Sequence, residues 1–295
     1  MKAWSEKFMR GVFAVAACAS VLAVALICIF LFANGIPAMK EIGFLDFLTG
    51  ETWRPNNDIY GIFPMIMGSI YVTAGAIIVG VPIGILTSVF MARYCPKRIY
   101  PVLKSATELL AGIPSVIYGF FGLVVMVPMI RNFGRTLRDM GIIETAGNGS
   151  SILTASLLLG MMILPTIIGV TESAIRAVPA QYYEGAVALG ATKERGIFRV
   201  IIPAAKSGII AGVVLGIGRA IGETMAVIMI AGNQPRMASS IFEGVRTLTA
   251  NIVIEMGYAS GLHREALIAT AVVLFVFILI INFSVALINR RSEHE

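Results

Sequence analysis

The stretch ALIATAVVLFVFILIINFSVAL, residues 266–287, is apolar at nearly every position, whatever period is imposed on it. Coiled as a helix rising about 1.5 Å per residue, it reaches across the roughly 30 Å hydrocarbon core of a bilayer. A membrane β-strand would alternate apolar and polar residues over about ten positions; this stretch does not. The same holds for AVAACASVLAVALICIFLF, residues 14–32. Working outward, six stretches are long enough to cross: about 12–33, 66–92, 108–130, 152–171, 207–231 and 267–288. Composition agrees, with 57% hydrophobic and 14% charged residues in 295 and a mean hydropathy of +0.86. The expectation is an all-α membrane protein with six transmembrane helices.

Loop charges orient it. The loops that share a side with the two termini carry 14 Lys and Arg, the opposite loops 8. That excess places both termini in the cytoplasm, so the net charge of +6 is a topological signal and gives no reason to expect nucleic acid as a partner. The first span follows Lys2, Lys7 and Arg10 but exceeds the 7–15 residues or so of a cleavable signal core, and is expected to be retained. Cys18 and Cys28 lie about 15 Å apart along one helix, too far for a disulfide; with Cys95 they read as free thiols. His263 and His294 are isolated, so no metal cluster is expected. No G-x-x-x-x-G-K-[ST] occurs, so ATP is not expected to bind this chain through a P-loop.

The chain divides into residues 1–65, with an N-terminal tail, the first helix and an external loop, and residues 66–295, a five-helix core interrupted by a cytoplasmic loop at about 172–206. In the external loop Trp53 and Tyr60 read as interfacial anchors. Arg131, Arg135 and Arg138 fall on one face of a short external helix, solvated or drawing in an anion or a docking protein. Lys104 with Glu108 and Glu172 with Arg176 read as structural pairs near span ends. Pro114 and Pro165 interrupt spans.

The cytoplasmic loop TESAIRAVPAQYYEGAVALGATKERGIFRVIIPAAK, residues 171–206, has helix punctuation. Pro179 suits a first turn, Gly190 a left-handed helix end, and Thr192 the cap of a second short helix to about Arg199. Pro203 marks entry to the fifth span. Small residues (Gly185, Ala186, Ala188, Gly190, Ala191) suit either a docking surface or tight packing beneath the membrane.

This loop resembles the signature of ABC-importer permeases, in which Glu-Ala-Ala is followed after three residues by Gly and nine residues later by Ile-x-Leu-Pro. Glu184, Gly185, Ala186, Gly190, Val200, Ile202 and Pro203 fall in that register; Gly185, Val200 and Ile202 are conservative departures. LLAGIPSVIYGFFGL (109–123), MILPTIIGVTESAIRAVP (162–179) and GRAIGETMAV (218–227) together resemble the membrane subunits of the phosphate-specific importer. The arrangement is closest to the PstC type, although the sister PstA type shares the loop and much of the core. The resemblance implies a type I ABC importer transmembrane domain that is not itself an enzyme. It implies four partner chains: a PstA-like second permease, two PstB-like ATPase subunits holding ATP and magnesium, and an external PstS-like phosphate-binding protein. It further implies that Glu184, Gly185, Ala186, Gly190 and Pro203 belong to the coupling loop that seats in the ATPase.

The fifth span carries charge. On a continuous helix, Gly208, Gly212, Gly216, Arg219 and Glu223 share an arc of about 80°, so the stripe should face other helices or a central path. An Arg at mid-span costs about 2.5–3.5 kcal/mol, and a pair at about 5 Å recovers roughly 3 kcal/mol at an effective dielectric near 20, part of the cost of two charges. Either the pair fixes helix register, or Arg219 offers fixed charge to a crossing anion while Glu223 occupies it between passages. Thr224 adds a hydroxyl to this path, or bonds back to its own helix. Rival functions are import of another oxyanion such as molybdate or sulfate, a stand-alone ion-coupled carrier, and a sensory scaffold.

Overall fold

The computed structural model describes the backbone of residues 2–292 and the side chains of residues 8–284. His294 and the side chains of Lys2, Lys7, Arg290 and Arg291 lie outside the described residues.

The apolar runs form helices as their composition demands, because inside a bilayer backbone polar groups must be satisfied within the segment. The first is α1 (Lys2–Ile42). It is longer than expected: it runs nine residues past the predicted span end, carrying Pro37 within it. Its residues 8–30 are almost wholly exposed, whereas its last third packs on the final helix, α14 (Gly261–Ser292), through Ala38, Met39, Ala269 and Val272. The predicted external loop holds α2 (Phe44–Thr49) and an antiparallel hairpin, β1 (Trp53–Arg54) and β2 (Ile59–Tyr60). Pro55–Asn57 make its tight turn, and Asp58 takes the left-handed conformation, φ 53°. Turn formers between aromatic and β-branched residues carry that signal.

The core is α3 (Phe63–Val89) against α7 (Ile152–Ala177). Small residues let them meet: a Cβ on Gly80 would lie 2.8 Å from the Gly160 carbonyl oxygen. Ser151 caps α7, its Oγ accepting from the Thr154 N–H. Pro165 lies inside α7 without ending it. Pro114 does mark a break: α4 (Tyr100–Gly112) stops before it, and α5 (Ser115–Phe121) starts after it. The third crossing is therefore Ser115–Asp139, ending in α6 (Val127–Asp139), not 108–130.

After α7 come α8 (Ala180–Ala188), α9 (Lys193–Gly196) and, past a wide turn over Ile197–Ile201, α10 (Ile202–Ala204). The chain then bends by 68° into α11 (Lys206–Gly222). The fifth crossing is not continuous, as its apolar composition had suggested. It breaks at Glu223–Thr224 and resumes as α12 (Met225–Ile230). A further helix, α13 (Leu248–Glu255), sits where the sequence reading placed only a loop. Among the described residues, five helices are long and apolar enough to cross, and the bent α9–α11 segment supplies a sixth candidate.

Candidate functional site

The glycine stripe of α11 faces α7. A Cβ on Gly212 would come within 2.9 Å of Thr171 Oγ1, and one on Gly216 within 2.8 Å of Ile167. Following that stripe upward, Arg219 projects beside α7, where its Nη1 donates to Thr166 Oγ1 at 3.4 Å. Arg219 is half-buried.

Glu223 does not continue the stripe. The helix ends at Gly222, and Glu223 is extended, with φ −67° and ψ 131°. Its carboxylate turns to the next helix and accepts from the Ala226 N–H at 3.2 Å, satisfying one donor that the first turn of α12 leaves without a helical partner. Its carbonyl accepts from Thr249 Oγ1 of α13 at 3.1 Å. Thr224 Oγ1 donates to the Gly222 carbonyl at 3.2 Å, the local bond open to a threonine at such a break. The expected Arg219–Glu223 pair is therefore absent: among the described residues Arg219 is in no ion pair. The i,i+4 geometry that would have joined them requires a helix that stops one residue too soon. What remains is a cation with most of its donor fork unspent, beside a backbone break in mid-crossing. Irregular backbone at this depth is tolerated where protein or a water-lined path receives its polar groups.

At the far end of α7 the residues expected to form the coupling loop are mostly exposed. Glu184 and Gly185 lie on α8 with nothing within 4 Å of a Cβ on Gly185. Ala186 is half-buried and its carbonyl accepts from the Ala191 N–H. Gly190 takes the predicted left-handed conformation, φ 82°, and Thr192 caps α9 through the Arg195 N–H at 3.4 Å. Leu189, at the tip, is 92% exposed, and Pro203 is exposed two residues before the bend. The loop is held from beneath by Ile197 and Ile201 against Ile175 and Val178.

Two polar clusters go beyond the sequence reading, which held only the Glu172–Arg176 pair, formed at 2.6 Å. Near the loop at 180–203, buried Glu172 accepts from Tyr100, Lys104 and Arg176; the expected Lys104–Glu108 pair is replaced by Lys104–Glu172 at 3.0 Å. The hydrogen bond to Glu172 raises the Tyr100 phenol and the Lys104 ammonium above their ordinary pKa values. At the hairpin end Glu255 accepts from Trp53 Nε1 at 2.8 Å, contacts His263 Nε2 at 2.8 Å and pairs with Arg246. Trp53 and Tyr60, 5% and 2% exposed, are thus core of a hairpin platform rather than anchors in lipid headgroups. Burial, and then the hydrogen bond to Asp58, pushes the Tyr60 phenol up to about 12. The predicted basic helix is α6, with Arg135 exposed and Arg138 on Asp139 at 3.0 Å. Cys18, Cys28 and Cys95 are free, and among the described residues no cluster of His, Cys, Asp or Glu could hold a metal.

The family described as "Binding-protein-dependent transport system inner membrane component" matches residues 80–294. The chain is 37% identical over 287 residues to the "Probable ABC transporter permease protein YqgH" of Bacillus subtilis, covering 93% of this chain and 90% of that protein. It is 36% identical over 265 residues to the "Phosphate transport system permease protein PstC" of Mesorhizobium japonicum, covering 86% and 81%. Among solved structures, a bacterial ABC transporter that imports the acidic polysaccharide alginate is similar with a TM-score of 0.58, at 16% identity, over 97% of this chain and 99% of that one. An amino acid ABC transporter is similar with a TM-score of 0.54, at 20% identity, over 78% and 93%. The architecture, five long crossings and one broken among the described residues, is thus that of the type I ABC importer transmembrane domain, and the chain belongs to the family of inner membrane components of binding-protein-dependent transport systems.

Proposed function

We propose that this chain is one of two permeases in an ATP-driven importer of inorganic phosphate, with the solute passing beside Arg219. The observation that carries the reading is the guanidinium itself: half-buried in mid-crossing, free of any carboxylate among the described residues, and placed at a helix break. A fixed fork of donors matches the oxygens of a tetrahedral oxyanion in pairs. The relatives named PstC support phosphate as that anion. Glu223 and Thr224 hold the break open rather than neutralise the cation. Exposed apolar residues flank it, among them Ile117 and Phe120 of α5 and Met225 of α12; this is a face for a PstA-like second permease to cover, leaving Arg219 on a path between the two.

The remaining parts follow from the loop. ATP and magnesium would be held by two PstB-like ATPase subunits, and closure of these subunits would draw on Glu184, Gly185, Ala186 and Gly190 and, through Pro203 and the 68° bend, on α11. A PstS-like binding protein would deliver phosphate to the hairpin face, with both termini in the cytoplasm. No chemistry is asked of this chain beyond binding and release.

The test is uptake of labelled phosphate into proteoliposomes carrying the purified complex, with sulfate and molybdate as competitors. Saturable, ATP-dependent phosphate uptake that excess sulfate and molybdate leave unchanged is expected. Competition by either at equal concentration would overturn phosphate in favour of a general or different oxyanion. Uptake that persists without the ATPases would overturn the importer itself and revive an ion-coupled carrier.

A further inference from the structure

Glu172 is 1% exposed and takes three donors: the Tyr100 hydroxyl at 2.6 Å, Lys104 Nζ at 3.0 Å and Arg176 Nε at 2.6 Å. Two of these come from α4 and one from the next turn of its own helix. Arg176 also donates to the Met91 carbonyl at 2.9 Å and lies over the Tyr100 ring at 4.3 Å. A carboxylate so far from water depends on every partner, since removing one leaves buried charge uncompensated. Against this, α4 buries no residue of its own. Within the chain, its attachment to α7 therefore rests on the polar cluster more than on apolar packing.

The place of the cluster gives it a use. Beyond Glu172, α7 runs five residues to Ala177, and α8 of the coupling loop starts at Ala180. At its other end α4 stops at Gly112, and the chain turns at Ile113–Pro114 into α5. There Tyr118 donates back to the Leu110 carbonyl at 2.9 Å, and a Cβ on the next residue, Gly119, would lie 2.9 Å from Cα of Ala226 in α12. Contacts therefore run from the loop through α7, Glu172, α4 and α5 to α12, which resumes the chain after the break that follows Arg219.

We propose that Glu172 is a positioning residue that transmits movement of the coupling loop to the solute path, by fastening α4 to the end of α7. The inference rests on the reading of Arg219 and residues 184–203 given above. Displacement of α8 tilts the end of α7; the latch carries α4 with it, and the Pro114 turn passes the motion to α5 and, where Gly119 meets Ala226, to the break that follows Arg219.

The experiment uses the complete complex in proteoliposomes with its binding protein and reads two quantities, the stimulated ATPase rate and the phosphate moved per ATP hydrolysed. Glu172→Gln and Lys104→Met should each keep the ATPase rate within about twofold and lower the ratio about tenfold, the size of a typical coupling between sites. The double variant should be no worse than either single, because both break one contact. Lys104→Arg retains a cationic donor and should keep the wild-type ratio. Where Glu172→Gln fails to assemble, Tyr100→Phe decides: it removes one hydrogen bond, leaves the charge pairs, and should lower the ratio about threefold. An unchanged ratio in Lys104→Met and Tyr100→Phe overturns the proposal. So does a parallel fall of ATPase and transport in Lys104→Met, which would make the cluster a support for ATPase docking. The reading beneath it fails separately: a wild-type complex without phosphate flux indicts the solute, while variants that match a working wild type indict Glu172.

Discussion

At Arg219 the cost of placing a guanidinium in mid-crossing, about 2.5–3.5 kcal/mol, is met by no carboxylate among the described residues. A single hydroxyl at 3.4 Å offsets little of it. A site that retains an unpaired cation has a use for the charge, and this sharpens what substitutions should do. Arg219→Gln removes the charge and should lower phosphate uptake about a hundredfold while the complex still assembles, the loss corresponding to ~2–3 kcal/mol of charge-assisted hydrogen bonding. Arg219→Lys keeps the charge without the fork and should fall between the two. Uptake by Arg219→Gln above half the wild-type rate at equal membrane abundance would remove the cation from the path. Glu223 now predicts differently from a charge partner. Gln at 223 keeps an oxygen for the Ala226 N–H, whereas Ala loses it at a cost of about 1 kcal/mol. Glu223→Ala should therefore be the more damaging of the two, in thermal stability as well as uptake. The reverse order would restore Glu223 as a charge. The residue types of this site were legible in GRAIGETMAV, but their geometry was not: a helical wheel assumes the helix, and Gly222 ends it.

The elements divide along the same line. Where one segment decides, the sequence was largely sufficient: the Gly190 turn and the Thr192 cap formed as their local chemistry requires, and the apolar runs became helices, although those at 108–130 and 207–231 break, at Pro114 and at Glu223. Where two segments must meet, it was not. Lys104 could be paired with Glu108 by spacing alone, and only packing of α4 on α7 reveals Glu172 as its partner; Trp53 likewise looked like an interfacial aromatic until α13 brought Glu255 to its indole. The close approach of α11 to α7 is the exception, because four-residue glycine spacing announces it. It can be tested within one helix. Gly216→Ala sets a Cβ 2.8 Å from Ile167 and should destabilise the protein by about 1–3 kcal/mol. Gly218→Ala, with nothing within 4 Å, should leave it unchanged or slightly more stable through helix propensity. Thermal unfolding of the detergent-solubilised complex reads both; equal midpoints would mean that α11 does not seat on α7 as described. In the proposed coupling loop, Gly190→Asp places a side chain at φ 82° and an acid on the exposed tip. Stimulated ATPase and uptake should fall together, and normal uptake would show that the loop does not couple.

For the molecule as a whole, its two ends carry different kinds of surface. One presents the proposed coupling loop and the Glu172 cluster; the other presents the hairpin, α13 and the Glu255 cluster. Which end faces the cytoplasm is a matter of charge, 14 Lys and Arg against 8, and the fold supplies a probe at each. Asn57 lies on the hairpin turn and Leu189 at the tip of the coupling loop, both exposed. In a background with Cys18, Cys28 and Cys95 replaced by Ser, Asn57→Cys should react with a membrane-impermeant maleimide in intact cells. Leu189→Cys should react only after permeabilisation. Expressed without the ATPase, Leu189→Cys should label fully in opened membranes; with the ATPase bound, it should be protected, because a tip 92% exposed in the chain alone would lie against its partner. Labelling of Leu189→Cys in intact cells would invert the topology. Labelling indifferent to the ATPase would leave the orientation standing but detach the loop from the role of coupling surface, since an element that transmits force must first be in contact with what supplies it.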